Sequence, residues 1–155
     1  MKMILRTSLL ALLPALLLAL AACAAQQDGP AGPGDAADAA SPIGSWSLTK
    51  IEDERYDLPS SARTPTLVIS ERGGLSGQAG VNRFTGKADS DALKGGSWEP
   101  GGIAMTRMGG EPDAMRFEQR YVAFIQRADT IAVGPQWLEL RVGNRPLLRF
   151  ARAGR

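Results

Sequence analysis

The side chains that could do chemistry in this chain are few, and their absences are as informative as their positions. Histidine does not occur and cysteine occurs once, at position 23. Without histidine the commonest general base and the commonest metal ligand are missing, so Ser-His-Asp and Cys-His catalysis and Cys/His zinc sites have no parts. Carboxylates are what remain. Glu52, Asp53 and Glu54 adjoin at an expected strand end, and Asp89 and Asp91 fall in an expected turn. Both groups lie in hydrophilic stretches where nothing would raise a carboxyl pKa, so they read as solvated turns. Asp89 and Asp91 alone fall short of the roughly six to eight oxygens that calcium takes. The sequence therefore offers no catalytic residue, no metal site and no cofactor site.

The lone thiol is better explained. Lys2 and Arg6 precede an uncharged Leu/Ala run from Leu9 to Leu20, broken by Pro14 and followed by Leu20-Ala21-Ala22-Cys23. Residues 1–22 read as a secretory signal peptide. The small residues before the cysteine resemble the bacterial lipobox, which makes Cys23 the expected site of lipid attachment: diacylglycerol on sulfur, cleavage before Cys23, and an amine then open to acylation. Two other readings stand beside it. One is an uncleaved membrane span, although the apolar run of about 16 to 18 residues is at the lower edge of what a span needs. The other is an ordinary signal with a cysteine near the cut by accident. The lipobox reading is preferred, because a single thiol in an oxidising compartment is awkward unless chemically occupied.

The elements that would hang from such an anchor follow from composition. Of 18 basic residues Lys2 and Arg6 leave with the signal, so the remainder carries 16 basic and 16 acidic groups and no net charge. A nucleic-acid partner is not expected. Residues 24–42 are Ala, Gly, Pro, Asp and Gln with a single Ser. With Cys23 they are expected to form a flexible tether over 23–43 with a reach of about 25 Å. One folded domain is expected over 44–152.

Within it, short strands are expected at 46–51, 66–70, 75–79, 84–88, 93–98 and 103–107, the second and third joined by a turn at Arg72-Gly73-Gly74. Leu138, Leu140 and Val142 alternate with Glu139 and Arg141, and Gly143-Asn144-Arg145 leads into 146–150, the clearest hairpin of the chain. One amphipathic helix is expected from about Glu111 to Ala128. Pro112 and Asp113 mark its start, and Ala114, Phe117, Tyr121, Phe124, Ile125 and Ala128 form its apolar stripe. Arg116, Arg120 and Arg127 flank that stripe and read as a solvated row paired with Asp113 and with acids of the sheet, in preference to an anion-binding edge. The pattern gives an α+β domain, mainly β: a curved antiparallel sheet tending to a small barrel.

Gly80-Val81-Asn82-Arg83-Phe84-Thr85-Gly86 resembles the G-C-N-x-F-x-G motif of the META/HslJ-like domain family. Met105-Thr106-Arg107-Met108-Gly109-Gly110 is similar to that family's T-x-M-A-C segment, and the helix follows where the family has one. The opening Gly44-Ser45-Trp46 and the closing Leu147-Leu148-x-Phe150 also match, so the resemblance covers the whole folded part. It implies a small non-catalytic domain of a bacterial envelope protein, frequently a lipoprotein, loosely linked to stress tolerance. It supplies no catalytic residue. One departure stands out: Val81 and Gly110 occupy positions where the family often has cysteines, which is how the joint loss of a disulfide would look.

The motif residues have physical readings of their own. Gly80 and Gly86 are expected to give backbone freedom at a turn or bulge. Asn82 is expected to adopt a left-handed conformation or to close a turn through its side chain. Phe84 and Met108 are expected in the core, and Thr106 to satisfy backbone near the helix start. The expected partners are the membrane, through the lipid, and an envelope protein or small ligand. A small apolar-ligand carrier is the alternative function, marked by a cavity of about 300 Å³ or more lined by Leu, Ile and Phe. A carboxylate-only hydrolase is a third. Ala24 after the cysteine, in place of aspartate, favours the periplasmic face of the outer membrane.

Overall fold

The computed structural model describes residues 40–154; the signal peptide, Cys23 and most of the tether lie outside the described residues. The elements run β1 (Gly44–Ile51), β2 (Thr66–Ile69), β3 (Gly74–Gln78), β4 (Arg83–Lys87), α1 (Ser90–Lys94), β5 (Ala104–Met105), α2 (Pro112–Arg127), β6 (Thr130–Val133), β7 (Trp137–Val142) and β8 (Arg145–Arg152). The fold is α+β, mainly β. Among the described residues all eight strands form one antiparallel sheet in the order β5-β4-β3-β2-β1-β8-β7-β6.

Because β5 and β6 are the two edges, the chain must cross from one edge to the other between them, and α2 makes that crossing. The helix thereby lays its apolar stripe over the concave side. Ala114, Tyr121, Phe124, Ile125 and Ala128 are buried there, with Phe117 half-buried. Tyr121 meets Phe84 and Phe150 edge-on, with ring centroids 6.3 and 6.4 Å apart. Its hydroxyl donates to the Thr66 carbonyl at 3.1 Å, and burial holds its pKa well above the usual tyrosine range. Trp46 and Trp98 complete the filling, their indole N–H groups donating to Pro42 and Ile125 carbonyls at 2.8 Å each.

The sheet curves without closing. Register shifts at Leu48/Lys50 of β1 and Leu140/Arg141 of β7 mark bulges that bend neighbouring strands together. Between the edges runs a non-strand segment: Trp98 N–H donates to Asp129 O and Ile131 N–H to Gly96 O, while Gly101 N–H donates to Lys87 O. It ties β6 to the end of β4.

Three expectations need correction. Residues 93–98 are not a strand: the Asp89 carboxylate caps the amides of Ala92 and Asp91, starting α1. Those same two bonds, Ala92 first, hold the Asp89 pKa below the usual value. β6 was not anticipated, because four residues directly after a helix carry no turn signal. The packed part also begins before Gly44, since Pro42 is buried and Arg152 bonds the carbonyls of Ser41 and Ile43. The arginine row behaves as a solvated flank: Arg116 pairs with Asp113, and Arg120 with Glu52 at 2.8 Å.

Candidate functional site

The motif residues Asn82, Thr106 and Met108 come together at the end of the β3–β4 hairpin, where α2 begins. Asn82 is 2% exposed and uses its whole amide. Its Oδ1 accepts from the Thr106 hydroxyl at 2.8 Å and from the Met108 amide at 2.7 Å; its Nδ2 donates to the Met108 carbonyl at 3.1 Å. The same Nδ2 donates to Glu118 Oε1 at 2.8 Å, while Glu118 Oε2 accepts from the backbone amides of Val81, at 3.0 Å, and Asn82. A carboxylate 4% exposed on α2 is thus held by three N–H donors of the hairpin end. Gln78 reinforces the turn by donating to the carbonyls of Gly80 and Asn82 at 3.0 and 3.2 Å.

The cluster joins three stretches far apart in the chain: the hairpin end, the run into α2, and α2 itself. Gly80 sits beside it with φ +127°, and a β-carbon there would touch the Phe117 ring at 3.5 Å. Thr106 also accepts the Arg83 amide at 3.1 Å. Three of the expected roles differ in the structure. Asn82 is not left-handed, and its side chain bonds residues 24 to 36 positions away, while the turn is closed by its backbone carbonyl, which accepts from Ala79 N–H at 2.8 Å. Met108 is not a core thioether: the residue is 51% exposed, and its backbone serves the cluster. The other motif residues lie on β4. Phe84 is buried in the core, whereas Gly86 sits opposite Leu75 in regular extended pairing and supplies no turn. Cys23 lies outside the described residues.

Sequence reasoning missed Glu118, although a signal was present. It stands four residues after Ala114 and seven before Ile125, on the same face as the apolar stripe, where a carboxylate must find donors. Val81 and Gly110 prove to be neighbours across this site: a β-carbon on Gly110 would lie 2.8 and 3.0 Å from the two methyl carbons of Val81.

Both oxygens of Glu118 are engaged in this lattice, which welds helix to sheet. The other buried acid among the described residues, Glu139 on β7, is held by Arg141 and Arg149. Glu52 and Asp53 form a two-residue turn with φ of 50° and 66°, closed by mutual backbone bonds of Ile51 and Glu54 at 3.0 Å. Their carboxylates face Arg120, Arg145 and Arg149. Asp91 pairs with Lys94 at 3.0 Å. Among the described residues no three acidic side chains converge as metal ligands would.

Among the described residues, surface depressions of about 220 to 450 Å³ are open to solvent. The one of about 450 Å³ is walled by Leu48, Thr49, Lys50, Arg55 and Tyr56, and none of these depressions is walled by Leu, Ile and Phe together. The side chains that could have lined a cavity fill the interior instead.

No curated protein matches the chain significantly. A solution structure of a protein from Burkholderia xenovorans is similar with a TM-score of 0.57 and 28% identity, over 72% of this chain and 83% of that one. A second solution structure is similar with a TM-score of 0.54 at 19% identity, over 72% and 90%, a likeness of fold alone. The model of the META domain matches residues 41–154, and the chain accordingly belongs to the META domain family.

Proposed function

We propose that this META domain is the periplasmic, non-catalytic part of an envelope lipoprotein, anchored through Cys23 in the outer membrane and supporting envelope integrity under stress by binding. The observation that carries the reading is the place of the chain's single thiol, directly behind Leu20-Ala21-Ala22 at the junction of an apolar leader and a polar tether. Two or three acyl chains at one point give stable anchoring where one chain is marginal. The non-catalytic part of the reading is supported by the engagement of both buried carboxylates, Glu118 by amides and Glu139 by arginines. A chain without net charge beyond its leader disfavours nucleic acid and leaves an envelope protein as the expected partner besides the membrane. The filled interior disfavours the carrier of apolar ligands.

Intact mass of the protein purified from bacterial membranes, beside a Cys23→Ser version, tests the anchor. The expected mass is that of the chain from Cys23 with two or three acyl groups, and the variant should be unlipidated or uncleaved. An unmodified mass beginning elsewhere would sink the lipoprotein reading and leave a soluble periplasmic domain.

A further inference from the structure

Trp137 differs from the other two tryptophans. Trp46 and Trp98 are buried with satisfied N–H groups, whereas Trp137 is 41% exposed and, among the described residues, its N–H has no protein acceptor. The ring rests on Gly134, where a β-carbon would come within 2.3 Å of Nε1. An exposed indole with a free N–H joins a large apolar body to a polar handle, the combination enriched where acyl chains meet headgroups.

Its position gives this meaning. The Arg152 guanidinium lies 4.2 Å over the Trp46 ring, and its Nε donates to Pro135 O at 3.0 Å, in the β6–β7 turn just before Trp137, the first residue of β7. The other two nitrogens donate to Ile43 O at 3.3 Å and Ser41 O at 3.0 Å. One cation therefore clamps the turn next to the exposed indole to the segment through which Cys23 connects to the fold. Gly44 makes room for it, with φ +136° and a would-be β-carbon 2.9 Å from Arg152 Nη1. Gly44 pairs with Ile69, so the β2–β3 turn with exposed Arg72 belongs to the same end of the sheet. Arg72 has no ion-pair partner among the described residues.

We propose that this end of the sheet, with Trp137, Pro135, Ile43 and Arg72, is a membrane-contacting face that seats Trp137 at the headgroup–acyl boundary of the bilayer holding Cys23. The inference rests on the lipid-anchor reading. Glu71, exposed beside Arg72, leaves that turn without net charge, so the indole carries the contact. A domain joined to lipid by a short linker meets the surface at high effective concentration, where a single indole can seat although a free protein would not bind.

The chain from Cys23 onward can be coupled through that only thiol to a maleimide lipid in phosphatidylethanolamine–phosphatidylglycerol vesicles, with or without brominated acyl chains. Tryptophan emission is then compared with that of Trp137→Ser. The expected result is that bromolipid removes most of the emission by which the two proteins differ and leaves the variant's Trp46 and Trp98 emission unchanged. Unquenched Trp137 emission in vesicle-bound protein, or equal quenching of both proteins, would overturn the proposal. Chemical coupling replaces acylation, so the two readings fail separately: an unacylated mass from membranes removes the anchor, while quenching of coupled protein still establishes the contact.

Discussion

Glu118 and Glu139 are both almost fully buried, and their surroundings could hardly differ more. Glu118 projects from α2 into amides: two backbone N–H groups and the Asn82 side chain. Glu139 projects from the outer side of β7 into two arginines, Arg141 on its own strand and Arg149 on β8, which also reaches Asp53 at 3.4 Å. The first site is buried and directional, two of its three donors being backbone amides. The second is ionic, its arginine side chains 31% and 38% exposed although Arg149 Nε is itself buried without a partner. A carboxylate held by backbone amides dictates how three remote chain segments fit together, whereas one held by part-exposed cations tolerates rearrangement.

The sharpest way to break this comparison is Glu118→Ala. The Val81 and Asn82 amides lose their acceptor in a place water reaches poorly, and a destabilisation of about 3 kcal/mol is expected from such unsatisfied donors. Asn82→Ala should cost a similar amount. The double variant should cost clearly less than the two together, because both residues serve one lattice. Urea unfolding of the four proteins measures the cycle, and strict additivity would show that Asn82 and Glu118 do not act as a unit.

The amide-held region can also be strengthened at one point. The nearness of the Gly110 β-position to both Val81 methyls is close to what a disulfide requires. Val81→Cys with Gly110→Cys should oxidise spontaneously and stabilise by about 2 kcal/mol relative to its reduced form, toward the low end for such bridges because the lattice already restrains the same segments. Thiol titration and thermal unfolding with and without reductant read it out. Failure to oxidise in the folded state would mean that Val81 and Gly110 are not neighbours in solution.

The two regions also differ in how far the sequence announces them. The β7–β8 hairpin and its ionic face were legible because Leu138, Leu140 and Val142 alternate with Glu139 and Arg141, and the period of two is local. The helix was legible for the same reason at a period of 3.6: Glu111 to Ala128 expected against Pro112–Arg127 found, with the two outer residues as caps. The amide lattice was not legible as a mechanism. Asn82, Thr106 and Met108 could be picked out by resemblance, but their bonding depends on partners 24 to 36 residues away, and no local period encodes that. Met108 was misplaced because its residue type suggests burial while its position needs only its backbone. The failures at α1 and β6 are of the opposite kind. Both are elements of four or five residues, too short for any period to show, and one is started by a single capping side chain, Asp89.

The ionic side should yield the smallest effect and a different signature. Glu139→Ala removes the partner of two arginines that can both reach solvent, so a cost of about 1 kcal/mol is expected, well below that of Glu118→Ala. Salt separates the two further. Exposed guanidinium groups are screened over about 10 Å at 0.1 M and about 3 Å at 1 M ionic strength, so the Glu139→Ala penalty should shrink on raising sodium chloride across that range. The Glu118→Ala penalty should stay constant, since unpaired backbone amides are neutral dipoles that mobile ions do not replace. Urea midpoints of the two variants and the parent at both salt concentrations make the test. If the Glu139 penalty proved salt-independent and as large as that of Glu118, the ionic site would be as rigid as the helix junction and the distinction between the two regions would fall.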